Sequence, residues 1–214
     1  MIVTQITVGA FQENCYVVAD PDGEATAIVD PGSEGDRIIA EVERMGRHPE
    51  AIWITHAHVD HIGAIAAVKR RWDVPVYLHP LDKPLYRVGG RQAQLYGVPY
   101  EEPPDADREF ADGETLRLGG LELSVMHVPG HAPGHVMIHG HGNAITGDCL
   151  FAGSIGRTDL PFSNPAHLEA SLKRIVALPP ETVVHPGHGD ITTIGEERVS
   201  NPFINGTARI VRPT

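Results

Sequence analysis

The chain has 214 residues, 41% hydrophobic and 21% charged, with 17 Lys and Arg against 28 Asp and Glu for a formal charge of −11. That length supports a sizeable core without covalent staples, while the acidic balance, with no basic run longer than Lys69-Arg70-Arg71, argues against a nucleic-acid partner. Two cysteines are too few for a disulfide framework, the start lacks a basic-then-apolar leader, and no apolar run approaches the roughly 20 residues that cross a bilayer; a soluble, cytoplasmic protein is expected.

In chain order, β-branched runs at 2–8, 15–19 and 25–29 read as strands. Apolar residues at 38, 39, 42 and 45 predict a helix over 35–45. A strand over 51–54 then leads into Thr55-His56-Ala57-His58-Val59-Asp60-His61, and a helical pattern runs from Ile62 to Arg71. After a strand at 74–78, the acid-rich segment 100–112, with Pro103 and Pro104, reads as a solvated loop between two halves. Strands follow at 121–128, 136–139 and 143–146, then a helix over 164–177 with Leu168, Leu172, Ile175 and Val176 on one stripe, then a strand at 182–184. Strand-rich stretches each followed by helices predict an α/β chain of two sheets packed face to face under outer helices, taken as a single domain over 1–214.

Thirteen histidines are many, and several sit in Gly- and Pro-rich turns where they can add little to a core. The first cluster occupies a strand-to-helix turn, a common place for function. His56 and His58, two apart, point the same way in extended chain, and Asp60 and His61 can face the same spot from the start of the helix. Four ligand-type groups so close together can hold two cations. The second cluster, His127-Val128-Pro129-Gly130-His131-Ala132-Pro133-Gly134-His135, has two Pro-Gly pairs that force tight turns, and at least one of its imidazoles is expected to point inward. Two more strand ends deliver one group each, Asp148 after Thr146-Gly147 and His188 in Pro186-Gly187-His188-Gly189. Imidazoles with a few carboxylates suit zinc, iron or manganese better than calcium or magnesium. An open coordination position would make such a site catalytic.

Thr-His-x-His-x-Asp-His, Pro-Gly-His, Gly-Asp and Pro-Gly-His-Gly, in this order, resemble the metallo-β-lactamase superfamily. Asp148-Cys149-Leu150-Phe151, the segment from Gly153 to Pro161 and His185-Pro186-Gly187-His188-Gly189 look most like its glyoxalase II, or hydroxyacylglutathione hydrolase, branch. The resemblance implies an αββα sandwich with two divalent metal ions, zinc first and iron or manganese as alternatives, at one edge between the sheets. It implies that His56, His58 and His131 bind one metal, that Asp60, His61 and His188 bind the other, and that Asp148 bridges them. Asp30 matches a position that orients a ligand histidine, and such carboxylates set the tautomer of a ligating imidazole. His127 and His135 are then supporting residues, and Cys149 is read as packing.

The activity implied is attack of a metal-bridging hydroxide on the thioester of an acylated small thiol such as S-lactoylglutathione, with Asp60 as the catalytic residue that orients the nucleophile. Full-length glyoxalase II carries a C-terminal helical domain that grips the carrier thiol, whereas 26 residues follow His188 here. The likeness is therefore to the short bacterial forms, and Arg157 is the remaining candidate for binding a substrate anion. A persulfide dioxygenase with a single iron, or a lactonase, would use the same scaffold.

Overall fold

A computed structural model describes residues 1–210 and contains two six-stranded mixed sheets. The first sheet has the order β1 (Ile2–Val8), β2 (Glu13–Ala19), β3 (Ala25–Val29), β4 (His48–Trp53), β5 (Val76–Leu78) and β6 (Arg108–Glu109). Its β1 to β3 form an antiparallel meander, and β3 to β6 run parallel. The parallel half needs crossovers, supplied by α1 (Gly35–Arg44), then by α2 (Val59–Ile62) with α3 (Ile65–Arg71), then by α4 (Lys83–Tyr86) with α5 (Gly89–Tyr96). The second sheet comprises β7 (Thr115–Leu118), β8 (Leu121–His127), β9 (Val136–Gly140), β10 (Asn143–Gly147), β13 (Val183–Pro186) and β14 (Thr192–Thr193), in the order β14-β13-β10-β9-β8-β7. Between β10 and β13 lie the small hairpin of β11 (Leu150–Phe151) and β12 (Ser154–Ile155) and then α6 (Pro165–Ile175), while α7 (Ile194–Ser200) follows β14.

The four-layer order follows from which side chains each strand sends to each face. Cys15 and Val17 of β2 face α1 and α3, joining Ile28, Ile38, Val42, Ile65 and Val68 in one core cluster. Tyr16 and Val18, one residue out of phase, face the other sheet with Val29, Trp53, Leu123 and Val136. A third cluster sets Leu168, Leu172 and Ile175 of α6 against Met137, Ala144 and Val184 on the outer face of the second sheet. Strands buried on both faces lose polar alternation and read as unbroken apolar runs, which is why β2 and β3 are fully buried along their lengths.

The expected αββα sandwich is the observed architecture, with differences in detail. The helix expected from Ile62 to Arg71 is two pieces, α2 and α3, separated at Gly63 and Ala64. Gly63 cannot carry a side chain, because a Cβ there would lie 2.5 Å from the Gly32 carbonyl oxygen, and one on Gly32 would meet the Asp60 carbonyl oxygen at 1.6 Å. This close crossing holds the β3–α1 loop against the turn that bears Asp60. The segment expected as a loop over 100–112 includes β6, a two-residue edge strand. Helix α5 has no sequence stripe because it buries only Gly89 and Ala93.

Candidate metal centre

The site lies where the ends of β4, β10 and β13 meet between the two sheets. Asn14 at the start of β2 donates through its side chain to the Pro186 and Gly189 carbonyls at 3.1 and 2.9 Å, and the Tyr16 hydroxyl donates to the Pro186 carbonyl at 2.7 Å. These bonds stitch the loop bearing His188 onto the first sheet. The loop also approaches too closely for a side chain at Gly187, whose Cβ would sit 2.1 Å from Asp148 Oδ1. Asp30 leaves β3 with φ 50, a left-handed conformation that Asp tolerates better than most residues. Its carboxylate accepts from the Thr55 N–H at 2.7 Å, from the Thr55 hydroxyl at 2.6 Å and from His61 Nδ1 at 3.0 Å.

Two triads result. Nitrogens of His56, His58 and His131 lie within 4.8 Å of one another, as do the ligand atoms of Asp60, His61 and His188. Asp148 stands between them: its Oδ1 is 3.4 Å from His61 Nε2, and its Oδ2 is 3.6 Å from His131 Nε2 and 3.5 Å from His188 Nε2. The outward-facing nitrogens are already occupied. His131 Nδ1 donates to the Arg157 carbonyl at 2.8 Å, His188 Nδ1 to the Phe11 carbonyl at 3.1 Å, and His56 Nδ1 faces the Thr55 hydroxyl at 3.1 Å. With one ring nitrogen donating, the other keeps its lone pair. Accordingly His56 Nε2, His61 Nε2 and Asp148 Oδ1 are buried with no hydrogen-bond partner, and His131 Nε2 meets His58 Nδ1 at 2.8 Å. Buried polar atoms rarely go unpaired, and a donor set of five imidazoles and two carboxylates fits divalent transition metals. The candidate residues His56, His58, Asp60, His61, His131, Asp148 and His188 are thus gathered in one place.

The electrostatics divide the cluster. Burial, reinforced by neighbouring imidazoles, holds His56 far below its ordinary pKa and His58 down at about 3, so both present neutral nitrogens. For His61, burial opposes protonation, yet Asp148, Asp30 and Asp60 outweigh it and raise the pKa well above the ordinary value. Burial would raise the Asp148 carboxyl, but His61, His131 and His188 hold it well below the carboxylate range. In the chain by itself Asp148 is therefore ionised beside a protonated His61, and a cation held between the triads would take the place of that proton.

A surrounding layer holds the ligand-bearing turns. Asp82 accepts from the backbone N–H of Ala57 at 2.9 Å and from that of Gly134, joining the first histidine cluster to the second. His135 accepts the Asp148 N–H at Nε2, 3.0 Å away, and stacks on His56 at 4.7 Å. His127 donates to the Pro133 carbonyl at 2.9 Å and stacks on His79 at 4.1 Å. The buried Cys149 thiol donates to the Val128 carbonyl at 3.2 Å. Arg157 lines the cleft over the cluster, but its guanidinium forms a two-bond pair with Asp159 at 2.7 Å. Sequence reasoning missed Asp82 and Glu13. Asp82 sits in a Pro-rich turn with no pattern around it, and Glu13, between Gln12 and Asn14 at the start of β2, is buried 3.8 Å from His61 Nδ1.

Comparison with known proteins identifies the family. The metallo-beta-lactamase superfamily model matches residues 8–188. Over 210 residues the chain is 39% identical to the hydroxyacylglutathione hydrolase GloC of Haemophilus influenzae, covering 96% of this chain and 99% of that one. Among solved structures, TTHA1623 in a di-iron-bound form is similar with a TM-score of 0.87 and 46% identity, covering 94% of this chain and 100% of the other. The B3 metallo-beta-lactamase BLEG-1 gives a TM-score of 0.89 at 38% identity, covering 96% and 100%. No helix among the described residues is long and apolar enough to cross a membrane. With the family's model running from β1 through the second triad, the chain belongs to the metallo-β-lactamase superfamily.

Proposed function

We propose that this protein is a dinuclear metal-dependent hydrolase that cleaves a thioester of the hydroxyacylglutathione type. The observation that carries the reading is Asp148, set between two triads in which His56 Nε2 and His61 Nε2 are buried with no hydrogen-bond partner. In this reading His56, His58 and His131 would hold one cation and Asp60, His61 and His188 the other, with Asp148 available to both. Zinc is our first assignment, with iron or manganese as alternatives. Divalent cations bound there supply Lewis acidity and make hydroxide available near neutral pH.

The chain's own groups do the rest. Asp60 is only partly buried, lies on the cleft wall and orients the attacking water, while Asp30 and the Arg157 and Phe11 carbonyls fix the tautomers of His61, His131 and His188. In the overall reaction the carbon–sulfur bond breaks, the water oxygen joins the acyl carbon, and a proton ends on the departing thiol. The Arg157–Asp159 pair is exposed, and such pairs contribute little, so a substrate carboxylate can replace Asp159 at small cost. The relative named hydroxyacylglutathione hydrolase supports a thioester as substrate. Both cysteines are free and buried, which accords with a reducing compartment, and we assign the protein to the cytoplasm.

The test is metal analysis of purified protein together with a panel of S-lactoylglutathione, other acyl thioesters, a homoserine lactone, a cephalosporin and glutathione persulfide. About two metals per chain with preferential thioester cleavage is expected. One iron per chain with oxygen uptake on persulfide overturns the reading, as does preference for the lactone or the β-lactam.

A further inference from the structure

The cleft over the ligand cluster, with a volume of ≈ 340 Å³, lies beside a groove of ≈ 640 Å³. His58, Gln92, Tyr96 and Leu160 line both, so the two adjoin across these four residues. The groove's other walls are mainly apolar, with Leu85, Val88 and Leu95 on one side and Pro161 and Phe162 on the other. Among the nine large hydrophobic side chains exposed in the described residues, five (Phe11, Val88, Leu95, Tyr96 and Phe162) line the cleft or the groove. Scattered exposed apolar residues need no explanation, but a cluster beside a reactive centre marks a binding surface.

Two features show that the apolar wall is held in place. Helix α5 turns only Gly89 and Ala93 into the core, which leaves Leu95 79% exposed. Gln92 of the same helix accepts the Val59 N–H at 3.2 Å and donates to the Leu85 carbonyl at 3.2 Å, tying the wall to the turn that carries Asp60 and His61. Opposite, Phe162 is 65% exposed and adopts φ 71, a conformation bulky residues seldom take. A strained, water-facing phenylalanine gains nothing from folding, which fits a role in ligand contact.

We propose that this groove is an acyl-chain subsite, so that beyond the short hydroxyacyl group of that reading the enzyme also takes thioesters with an extended apolar acyl group, and does so better as the chain lengthens. The proposal rests on the thioesterase reading for the chemistry and on the groove alone for the specificity. The carbonyl sits over the cluster near His58, the apolar chain runs along Leu95 and Phe162, and the polar thiol lies on the Arg157 side of the cleft.

Two parallel series test it. In the first, kcat/KM is measured for N-acetylcysteamine thioesters from acetyl to decanoyl. In the second, binding of S-alkyl-N-acetylcysteamine thioethers from methyl to octyl, which cannot be hydrolysed, is measured by calorimetry. Both are expected to rise by about two- to fourfold per methylene, as burial of CH₂ groups requires, and Leu95→Glu and Phe162→Ser should flatten both slopes with unchanged metal content. Thioesters cleaved at rates independent of chain length, with flat thioether binding, overturn the groove and leave the hydrolase standing. Length-dependent thioether binding without thioester cleavage does the reverse. Sedimentation analysis provides the remaining outcome: dimerisation abolished by Leu95→Glu would assign the apolar wall to a second copy and overturn the proposal.

Discussion

Asp30 and Asp82 accept hydrogen bonds with both carboxylate oxygens, and neither could be replaced by its amide without turning a donor toward a donor. Asp30→Asn would face either the Thr55 N–H or the His61 and Thr55 donors with an NH₂ group. Loss of such a carboxylate behind a ligand histidine costs about 10- to 100-fold in metal affinity, and competition with a chromophoric chelator should measure that loss. Burial lifts the Asp82 carboxyl from its ordinary value of 3.8 to about 6, against the opposing effect of its Gly134 and Ala57 bonds. Between about pH 4 and 6 the folded chain therefore binds a proton that the unfolded chain has released, so this group's contribution to stability falls as pH rises through that window. Urea unfolding of wild type and Asp82→Asn across pH 4 to 7 should show wild type losing stability relative to the variant over that window only. The candidate ligands were legible at this scale, because His, Asp and Gly at strand ends are unusual. Asp82 was not, since what makes it important is two backbone N–H groups from distant turns.

At the scale of elements, α6 shows how helix and site depend on each other. Asn164 caps it by accepting the N–H groups of Ala166 and His167 at 3.0 and 3.1 Å, and its own N–H donates to the Gly130 carbonyl at 2.7 Å, next to His131. Asn164→Ala is expected to cost about 0.5–2 kcal/mol in chemical denaturation. Because the cap shares the Gly130 turn, the same variant should lower metal affinity slightly, a link that titration of apoprotein would detect. Apolar stripes made α1 and α6 legible, and unbroken β-branched runs did the same for β1, β2 and β3. Elements held by edge pairing or by one small face were not: β6, β11, β12 and β14 have two residues each, and α5 lacks a stripe. Helix α7 did carry a readable signal, the capping box of Thr193 and Glu196.

Over the whole molecule, the cluster joins two sheets that otherwise meet through apolar packing and a few hydrogen bonds, such as those of Asn14 and Tyr16 to the Pro186 carbonyl. Cations bound by His56, His58 and Asp60 from the first sheet and by His131, Asp148 and His188 from the second would bridge the layers. A ligand present at a thousand times its Kd stabilises by about 4 kcal/mol, and each kcal/mol shifts Tm by about 2–4 °C in a chain of this size. Chelation by dipicolinate should therefore abolish turnover and lower Tm by several degrees, with both restored by zinc, iron or manganese. A Tm indifferent to chelation would contradict metal bridging. The sequence by itself determined the fold class and the chemical type of the site: strands buried on two faces must be apolar throughout, and imidazoles gathered at Gly- and Pro-rich strand ends have little other use. The resemblance implied the division into triads around Asp148, but spacing alone did not, and only tertiary structure shows the distances within them, that the Arg157 side chain pairs with Asp159, and that an apolar groove adjoins the cluster. Those properties depend on distances between residues far apart in the chain, such as Asp60 and His188 at 3.4 Å, and spacing along a sequence does not encode them.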